Sequence, residues 1–301
     1  MPELPEVEHI VRYLSPHLVS KWITAIEVLD PKARRRPPHD RALQPDDLVG
    51  RRIRAIRRRA KLIFLDLDRE PGLAFHLKLT GKLSIEPARS PRSRWVRLVI
   101  VLGRDELRFE DTRRLGWFDL VDATGREAIV ATLGPEPLEP GFTLEVLTSR
   151  LARRRGPVKP ILLDPAFVAG IGNIYADEIL HAARLHPLRR VESLSPREIA
   201  RVHAEIIEVL RRAVGERSGK PGQDRVGSGS RTASKELTLS VFQKTGEPCP
   251  ACSAVIERIV VRGRGTHLCP KCQPLPGGAG TPVARSRRGA TDPERSRSSK
   301  R

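Results

Sequence analysis

The chain has 301 residues, with 55 Lys+Arg against 36 Asp+Glu and a formal charge of +19. That length gives room for about two domains and a substantial core. Four cysteines in so long a chain exclude a disulfide scaffold, and no apolar run approaches the ~18 residues of a membrane span. The opening MPELPEVEHI has neither a basic n-region nor an apolar h-region, so a cytoplasmic, non-secreted protein is expected. Residues 274–301 carry seven Arg/Lys and two acids, which leaves +14 on the rest of the chain. The folded body is therefore basic in its own right, and a nucleic acid is the expected partner.

In chain order, Pro5 suits a first helical turn, and Val7, Ile10, Val11, Leu14 and Leu18 form one apolar stripe, predicting a helix over 5–18. From 23 to about 121 the period changes to two. ITAIEVL, KLIFLDLD, LAFHLKL, WVRLVIVL and ELRFE alternate or run apolar, and Gly103-Arg104-Asp105 reads as a hairpin turn. A β-rich domain, sandwich or barrel, is predicted over 1–133, closed by the Pro/Gly boundary LGPEPLEPG at 133–141. A helical domain is predicted over 142–235. Within it Ser195-Pro196-Arg197-Glu198 forms a capping box, Ile199, Val202, Ile206 and Val209 continue the stripe, and Gly215 is the expected end. The polar, Gly-rich stretch 215–235 reads as a mobile linker, 237–273 as a small cysteine module and 274–301 as a disordered basic tail.

All four cysteines fall in one pattern, Cys249-x2-Cys252, sixteen residues, Cys269-x2-Cys272. That spacing closes a tetrahedral site for one zinc ion, and with four thiolate ligands the metal is structural. A redox role would need a βαβ setting, which is absent from the pattern. The intervening IERIVVRGRGTHL reads as a hairpin carrying Arg258, Arg262 and Arg264, either a DNA-gripping tip or a solvated charged turn, and His267 reads as an ordinary hairpin histidine.

VAGIGNIYADEIL at 168–180 places two glycines before a helix, but Tyr175 stands where a dinucleotide fingerprint needs a third glycine. Two readings remain. One is a turn whose amides, with Asn173, face a backbone phosphate; the other is a plain packing turn. At the N-terminus, removal of Met1 would leave Pro2 with a free secondary α-amine. Its ordinary pKa of about 7.7–8.0 leaves a neutral fraction at physiological pH. Such an amine attacks a sugar aldehyde carbon to give a permanently cationic iminium, and Glu3 beside it is placed to move protons.

Together these segments resemble the formamidopyrimidine-DNA glycosylase family, which also contains endonuclease VIII. The resemblance rests on PELPEVE at 2–8, RRRAKLIFLDL at 57–67, HLKLTG at 76–81, EDTRRLG at 110–116, LGPEPL at 133–138, DPAFVAGIGNIYADEIL at 164–180 and RGTHLCPKC at 264–272. It implies an α+β multidomain fold: an N-terminal β-sandwich with flanking helices, a helix–two-turn–helix domain and a C-terminal four-cysteine zinc finger. It further implies a bifunctional glycosylase and abasic-site lyase that, as a monomer, excises oxidised purines from double-stranded DNA. On that resemblance Pro2 is the nucleophile, Glu3 the general acid, Lys61 a phosphate contact and proton donor, and Arg264 a phosphate grip assisting δ-elimination. Asn173, Arg113, Arg94, Arg155 and Lys159 are expected at DNA. The base-flipping wedge, usually Met, Arg and Phe, becomes Leu79, Arg113 and Leu115. Lys78 replaces a usual Gly, Phe242 a common Tyr, and 221–235 lacks the usual lesion-capping sequence. The alternatives are a non-catalytic zinc-hairpin DNA-binding protein on the same scaffold, or a lesion spectrum shifted to oxidised pyrimidines or abasic sites. An RNA-directed protein would need a stacking platform that 4% aromatic residues do not supply.

Overall fold

The computed structural model describes residues 1–35, 43–217 and 239–275. Most of the linker expected at 215–235 and nearly all of the tail expected from 274 lie outside the described residues.

Helix α1 (Leu4–Leu18) buries Val7, Ile10, Leu14 and Leu18, the stripe predicted for it. Two four-stranded antiparallel sheets follow. One orders β1 (Ala25–Val28), β6 (Val96–Leu102), β7 (Asp105–Asp111) and β5 (Gly81–Pro87); the other orders β2 (Ile53–Arg59), β3 (Leu62–Leu67), β4 (Gly72–His76) and β8 (Trp117–Val121). Their inner faces share one core with α1. Phe109 meets Phe75 and Phe118 of the opposite sheet edge-on, with ring centroids 5.9 and 6.4 Å apart. Aromatic burial across two sheets makes this a sandwich, not a barrel. The β6–β7 hairpin closes through two residues with Gly103 at φ 79°, a conformation an L side chain resists.

Helix α2 (Ala123–Ala131), capped by the Asp122 carboxylate on the Gly125 amide, is absent from the sequence reading. None of its residues is buried, so it carries too weak an apolar stripe to be recognised. Helices α3 (Leu144–Ala152), α4 (Val158–Leu162), α5 (Asn173–Ala182) and α6 (Pro196–Arg217) build a second core around Leu147, Phe167, Tyr175, Ile179, Val202 and Ile206. The predicted capping box forms: the Ser195 amide donates to the Glu198 carboxylate at 2.7 Å and the Glu198 amide to the Ser195 hydroxyl at 3.3 Å. The helix does not stop at Gly215. Its backbone continues to Arg217, and glycine on an exposed turn weakens a helix by only about 1 kcal/mol. No helix among the described residues is long and apolar enough to cross a membrane.

Several contacts tie the first and second cores together. Leu4, the first residue of α1, packs into the helical core and donates its amide to the Gly170 carbonyl at 3.1 Å. In the connection after α2, buried Glu136 accepts from Arg58, Arg59 and the Ala60 amide at the β2–β3 turn. The last module is the hairpin β9 (Glu257–Val261) and β10 (Arg264–Leu268), turned by Arg262 and Gly263 at φ 46° and 75°.

Candidate active site

The N-terminus of α5 is where the parts converge. The Glu3 carboxylate, 2% exposed, accepts from the amides of Gly172 at 2.8 Å, Ile174 at 3.0 Å and Tyr175 at 3.3 Å. The turn expected to face a phosphate therefore presents these amides to a side chain of the same protein. The chemistry of the expectation holds, because a helix N-terminus attracts an anion; the anion is Glu3.

Burial dominates this carboxyl and raises its pKa from 4.5 to about 7; Glu6 adds to the rise, while Lys61 and the α5 amides oppose it. At neutral pH Glu3 thus holds a proton much of the time, as a general acid requires. Glu6 fixes its backbone by accepting from the Glu3 amide at 2.7 Å and from the Tyr175 hydroxyl at 2.8 Å. Glu6 and Tyr175 escaped the sequence reading of the site, although the Glu3-x-x-Glu6 spacing is that of a helix cap. Pro2 precedes Glu3 directly, and Met1 ahead of it is exposed and accessible to processing.

Lys61, on the β2–β3 turn, donates to the Ile171 carbonyl at 2.8 Å. Burial and the positive charges of Arg264 and Lys78 lower its pKa, against the pull of Glu3 and Glu6. Lys61, Glu3 and Arg264 therefore share one electrostatic neighbourhood although they come from the sandwich, the terminus and the zinc module. His76 in the same neighbourhood, also missed from the sequence, is held neutral with a pKa near 3, by burial first and then by Lys78 and Lys61. Its Nδ1 accepts from the Lys78 amide at 3.0 Å.

Leu79 and Leu115 stand out on two adjoining turns, 39% and 49% exposed. Buried Asp111 joins the turns. Its carboxylate accepts from the Thr80 hydroxyl and from the amides of Arg113 at 3.1 Å, Leu115 at 2.8 Å and Gly116 at 2.6 Å. The Arg113 side chain is exposed between them. The three positions expected to form the wedge therefore sit on two turns that Asp111 ties together.

Arg94 is exposed and stacks on Trp95, with its guanidinium 4.4 Å from the ring centroid. Arg155 is exposed and donates to the Ala152 and Arg154 carbonyls at 3.1 and 2.9 Å. Lys159 requires a correction. It is fully buried, with its ammonium 2.6 Å from Asp177 and 2.8 Å from the Thr266 hydroxyl, so it cannot reach DNA and braces the zinc hairpin instead. Asn173 donates from its side-chain amide to the Gly265 carbonyl at 2.9 Å, orienting it toward the same hairpin.

The four cysteine Sγ atoms lie within 4.8 Å of one another, with Cys249–Cys272 at 3.9 Å and Cys252–Cys269 at 3.4 Å. Four thiolates around one zinc at about 2.3 Å stand about 3.8 Å apart, so this donor set fits one structural zinc. His267 is not a ligand. Its backbone amide donates to Asp177 at 2.9 Å, and its Nδ1 lies 3.1 Å from the same carboxylate. The module docks on α5 through Glu178, whose carboxylate accepts the amides of Ser240, Val241 and Phe242 at 2.7, 2.9 and 2.9 Å. Gln273 adds a bond to the Leu185 carbonyl at 2.9 Å.

Comparison with known proteins matches this arrangement along its length. The formamidopyrimidine-DNA glycosylase N-terminal domain matches residues 1–118, the H2TH domain of the same enzymes 133–222, and the zinc finger found in FPG and IleRS 246–275. The formamidopyrimidine-DNA glycosylase of Herpetosiphon aurantiacus is 41% identical over 276 residues, 91% of this chain and 100% of that one. That of Symbiobacterium thermophilum is 42% identical over 292 residues, 96% and 94% of the two chains. The Lactococcus lactis enzyme in complex with abasic-site DNA superposes with a TM-score of 0.81 at 32% identity, covering 91% of this chain and 100% of that one. Its complex with Fapy-dG DNA has the same TM-score, identity and coverage. The chain belongs to the formamidopyrimidine-DNA glycosylase family.

Proposed function

We propose that the chain excises oxidised purines, 8-oxoguanine and formamidopyrimidines, from duplex DNA and then cuts the strand at the abasic site. The observation that carries this reading is Glu3, a proton-holding carboxyl clamped on a helix N-terminus one residue from the proline that Met1 removal exposes. The relatives named for this activity and the Lactococcus complexes with damaged DNA support it.

In this reading the Pro2 nitrogen attacks C1′ of an extruded nucleotide as the C1′–base bond breaks, and the base departs with that bond's pair and the proton lost from the Pro2 nitrogen. The nitrogen lone pair then forms the C=N bond as the C1′–O bond breaks, with Glu3 giving its proton to the sugar ring oxygen. The resulting iminium draws electrons, so the C2′ proton leaves and the C3′–O bond breaks with its pair on the phosphate. Loss of the C4′ proton then expels the 5′ phosphate. Lys61 and Arg264 hold phosphates and stabilise the charge that develops on them. Extrusion costs a few kcal/mol, offset by phosphate contacts and by Leu79, Arg113 and Leu115 filling the vacated stack. Arg94, Arg155 and the second N–H of Asn173 serve as phosphate contacts. The zinc ion holds the hairpin and takes no part in bond making. The enzyme acts as a monomer in the cytoplasm.

Borohydride trapping on an abasic-site duplex tests the reading. Processed protein is expected to form a covalent adduct whose peptide map places the sugar on Pro2; protein retaining Met1 is expected to form none. An adduct mapped elsewhere, or full trapping with Met1 in place, overturns it. Binding to damaged duplex without any adduct favours the non-catalytic zinc-hairpin alternative.

A further inference from the structure

We propose that Asp177 is a positioning residue that fixes Arg264 against the reacting phosphates and so sets how far strand cleavage proceeds. The proposal rests on the lyase reading above.

Asp177 is fully buried on α5, the helix whose N-terminus holds Glu3. One carboxylate oxygen lies 2.6 Å from the Lys159 ammonium; the other accepts the His267 amide at 2.9 Å and faces its Nδ1 at 3.1 Å. Lys159 carries the connection to Thr266 and, at 3.3 Å, to the Gly265 carbonyl. Asn173 donates to the same carbonyl. Three consecutive residues, Gly265, Thr266 and His267, are thus pinned to α5, and the residue immediately before them is Arg264. Among the described residues nothing comparable constrains the Arg264 side chain, which is exposed.

The geometry ties two chemical groups to one helix. Glu3 sits on the α5 backbone amides, and the Arg264 segment on its Asn173 and Asp177 side chains. Glu3 serves base release and ring opening, whereas Arg264 acts on phosphates that leave afterwards. Loosening Asp177 should therefore spare Schiff-base formation and slow the later elimination, because a displacement of about 1 Å at a charge-stabilising group costs up to about a hundredfold in rate.

The experiment uses full-length, processed, zinc-loaded protein on an abasic-site duplex. It measures borohydride trapping rate, the ratio of δ- to β-elimination ends, and bound zinc. Asp177→Asn is expected to keep trapping and one zinc per chain while the δ:β ratio falls about tenfold or more. Thr266→Val, which removes the Lys159 link and the hydroxyl's own bond to the Arg264 carbonyl at 3.1 Å but leaves the Asp177–His267 contact, should move the ratio the same way to a smaller extent. In an Arg264→Ala background neither substitution should lower the ratio further. An unchanged ratio in Asp177→Asn overturns the proposal. So does parallel loss of trapping and zinc in both variants, since that marks Asp177 as a purely structural brace. If the unsubstituted enzyme forms no adduct, the lyase reading itself fails, and that result is read separately.

Discussion

Glu3 occupies the space that a side chain at residue 172 would need: a Cβ on Gly172 would overlap the Glu3 Cδ and Oε1. Two residues earlier, Gly170 takes φ 86°, and a Cβ there would meet Leu4 at 2.7 Å. The glycines of the AGIGN turn are therefore set by the N-terminal segment packed onto them.

Gly172→Ala should accordingly disable the enzyme without abolishing the fold. The added methyl must push Glu3 off the amides of Gly172, Ile174 and Tyr175 or displace the start of α5. Overpacking of this kind costs about 1–3 kcal/mol in stability. The effect on chemistry should be larger, at least about a hundredfold in single-turnover base release, because the acid loses its position. Rapid-quench kinetics together with urea denaturation separate the two effects. A variant whose base release stays within about threefold of the parent would show that this clamp is dispensable.

The raised pKa of Glu3 predicts a particular dependence on pH. The group titrates near 7 when folded and near 4.5 when unfolded. Between those values the folded chain retains a proton that the unfolded chain has released. The stability tied to this group is therefore complete below about pH 4.5 and falls away as pH rises through 7. Glu3→Gln cannot ionise, so from about pH 5 to about pH 8 its stability should improve relative to the parent by about 1–3 kcal/mol. Base release should be bell-shaped in pH, since it needs Glu3 protonated and the Pro2 amine neutral. Residual trapping by Glu3→Gln should instead rise with pH and level off above the amine's ordinary pKa of about 8. A residual profile that still falls on the alkaline side would assign the acid to another group.

How much of this was legible in the sequence varied with the kind of contact. Stripes and caps were readable, because Val7, Ile10, Leu14 and Leu18 repeat at helical spacing and Ser195–Glu198 at cap spacing. The cysteine spacing was readable because a metal demands it. Pro2 and Glu3 could be singled out by the chemistry of a free imino terminus and Arg264 by its hairpin, but Lys61 and the grouping of all four into one site came only through family resemblance, since they lie at distances no local pattern spans. The α5 amides held by Glu3, and the Lys159–Asp177–His267 cluster, were not readable at all. A lysine close to a predicted DNA-binding turn looks like a phosphate ligand until its partners, 18 and 107 residues away, prove to bury it. Helix α2 failed for the opposite reason: it buries no residue fully, and only Ile129 and Val130 at its end pack partly against the sandwich.

The wedge expected at Leu79, Arg113 and Leu115 predicts separate effects on duplex and single-stranded substrates. Leu79 and Leu115 are exposed, so truncating either should change stability by no more than about 0.5 kcal/mol. In a duplex their side chains would fill the space left by the extruded base, and full burial of a leucine is worth about 1.5–3 kcal/mol. Leu115→Ala should therefore slow trapping on an abasic-site duplex by about tenfold and leave single-stranded substrate within about twofold. Leu115→Phe should match or exceed the parent on duplex, because a ring stacks on bases as a leucine cannot. Equal losses on both substrates would remove Leu115 from the wedge and return it to ordinary surface packing.

Glu136 offers a test of how the sandwich is fastened to the helical half. Its carboxylate meets Arg58, Arg59 and the Ala60 amide, while Arg59 also donates to the Gly134 carbonyl at 2.6 Å. The Arg58 side chain is 7% exposed and has only Glu8 as another carboxylate partner among the described residues. Glu136→Gln removes the shared charge and leaves two arginines facing each other with one partner between them. Breaking a buried ion pair from one side costs about 3–5 kcal/mol; with Glu8 still in place, about 2–3 kcal/mol is expected in urea denaturation. The next residue after Ala60 is Lys61, so the same change should weaken phosphate contact, lowering affinity for the duplex and making its dependence on salt shallower. A loss of stability with unaltered salt dependence would mean that the β2–β3 turn holds Lys61 in place without Glu136.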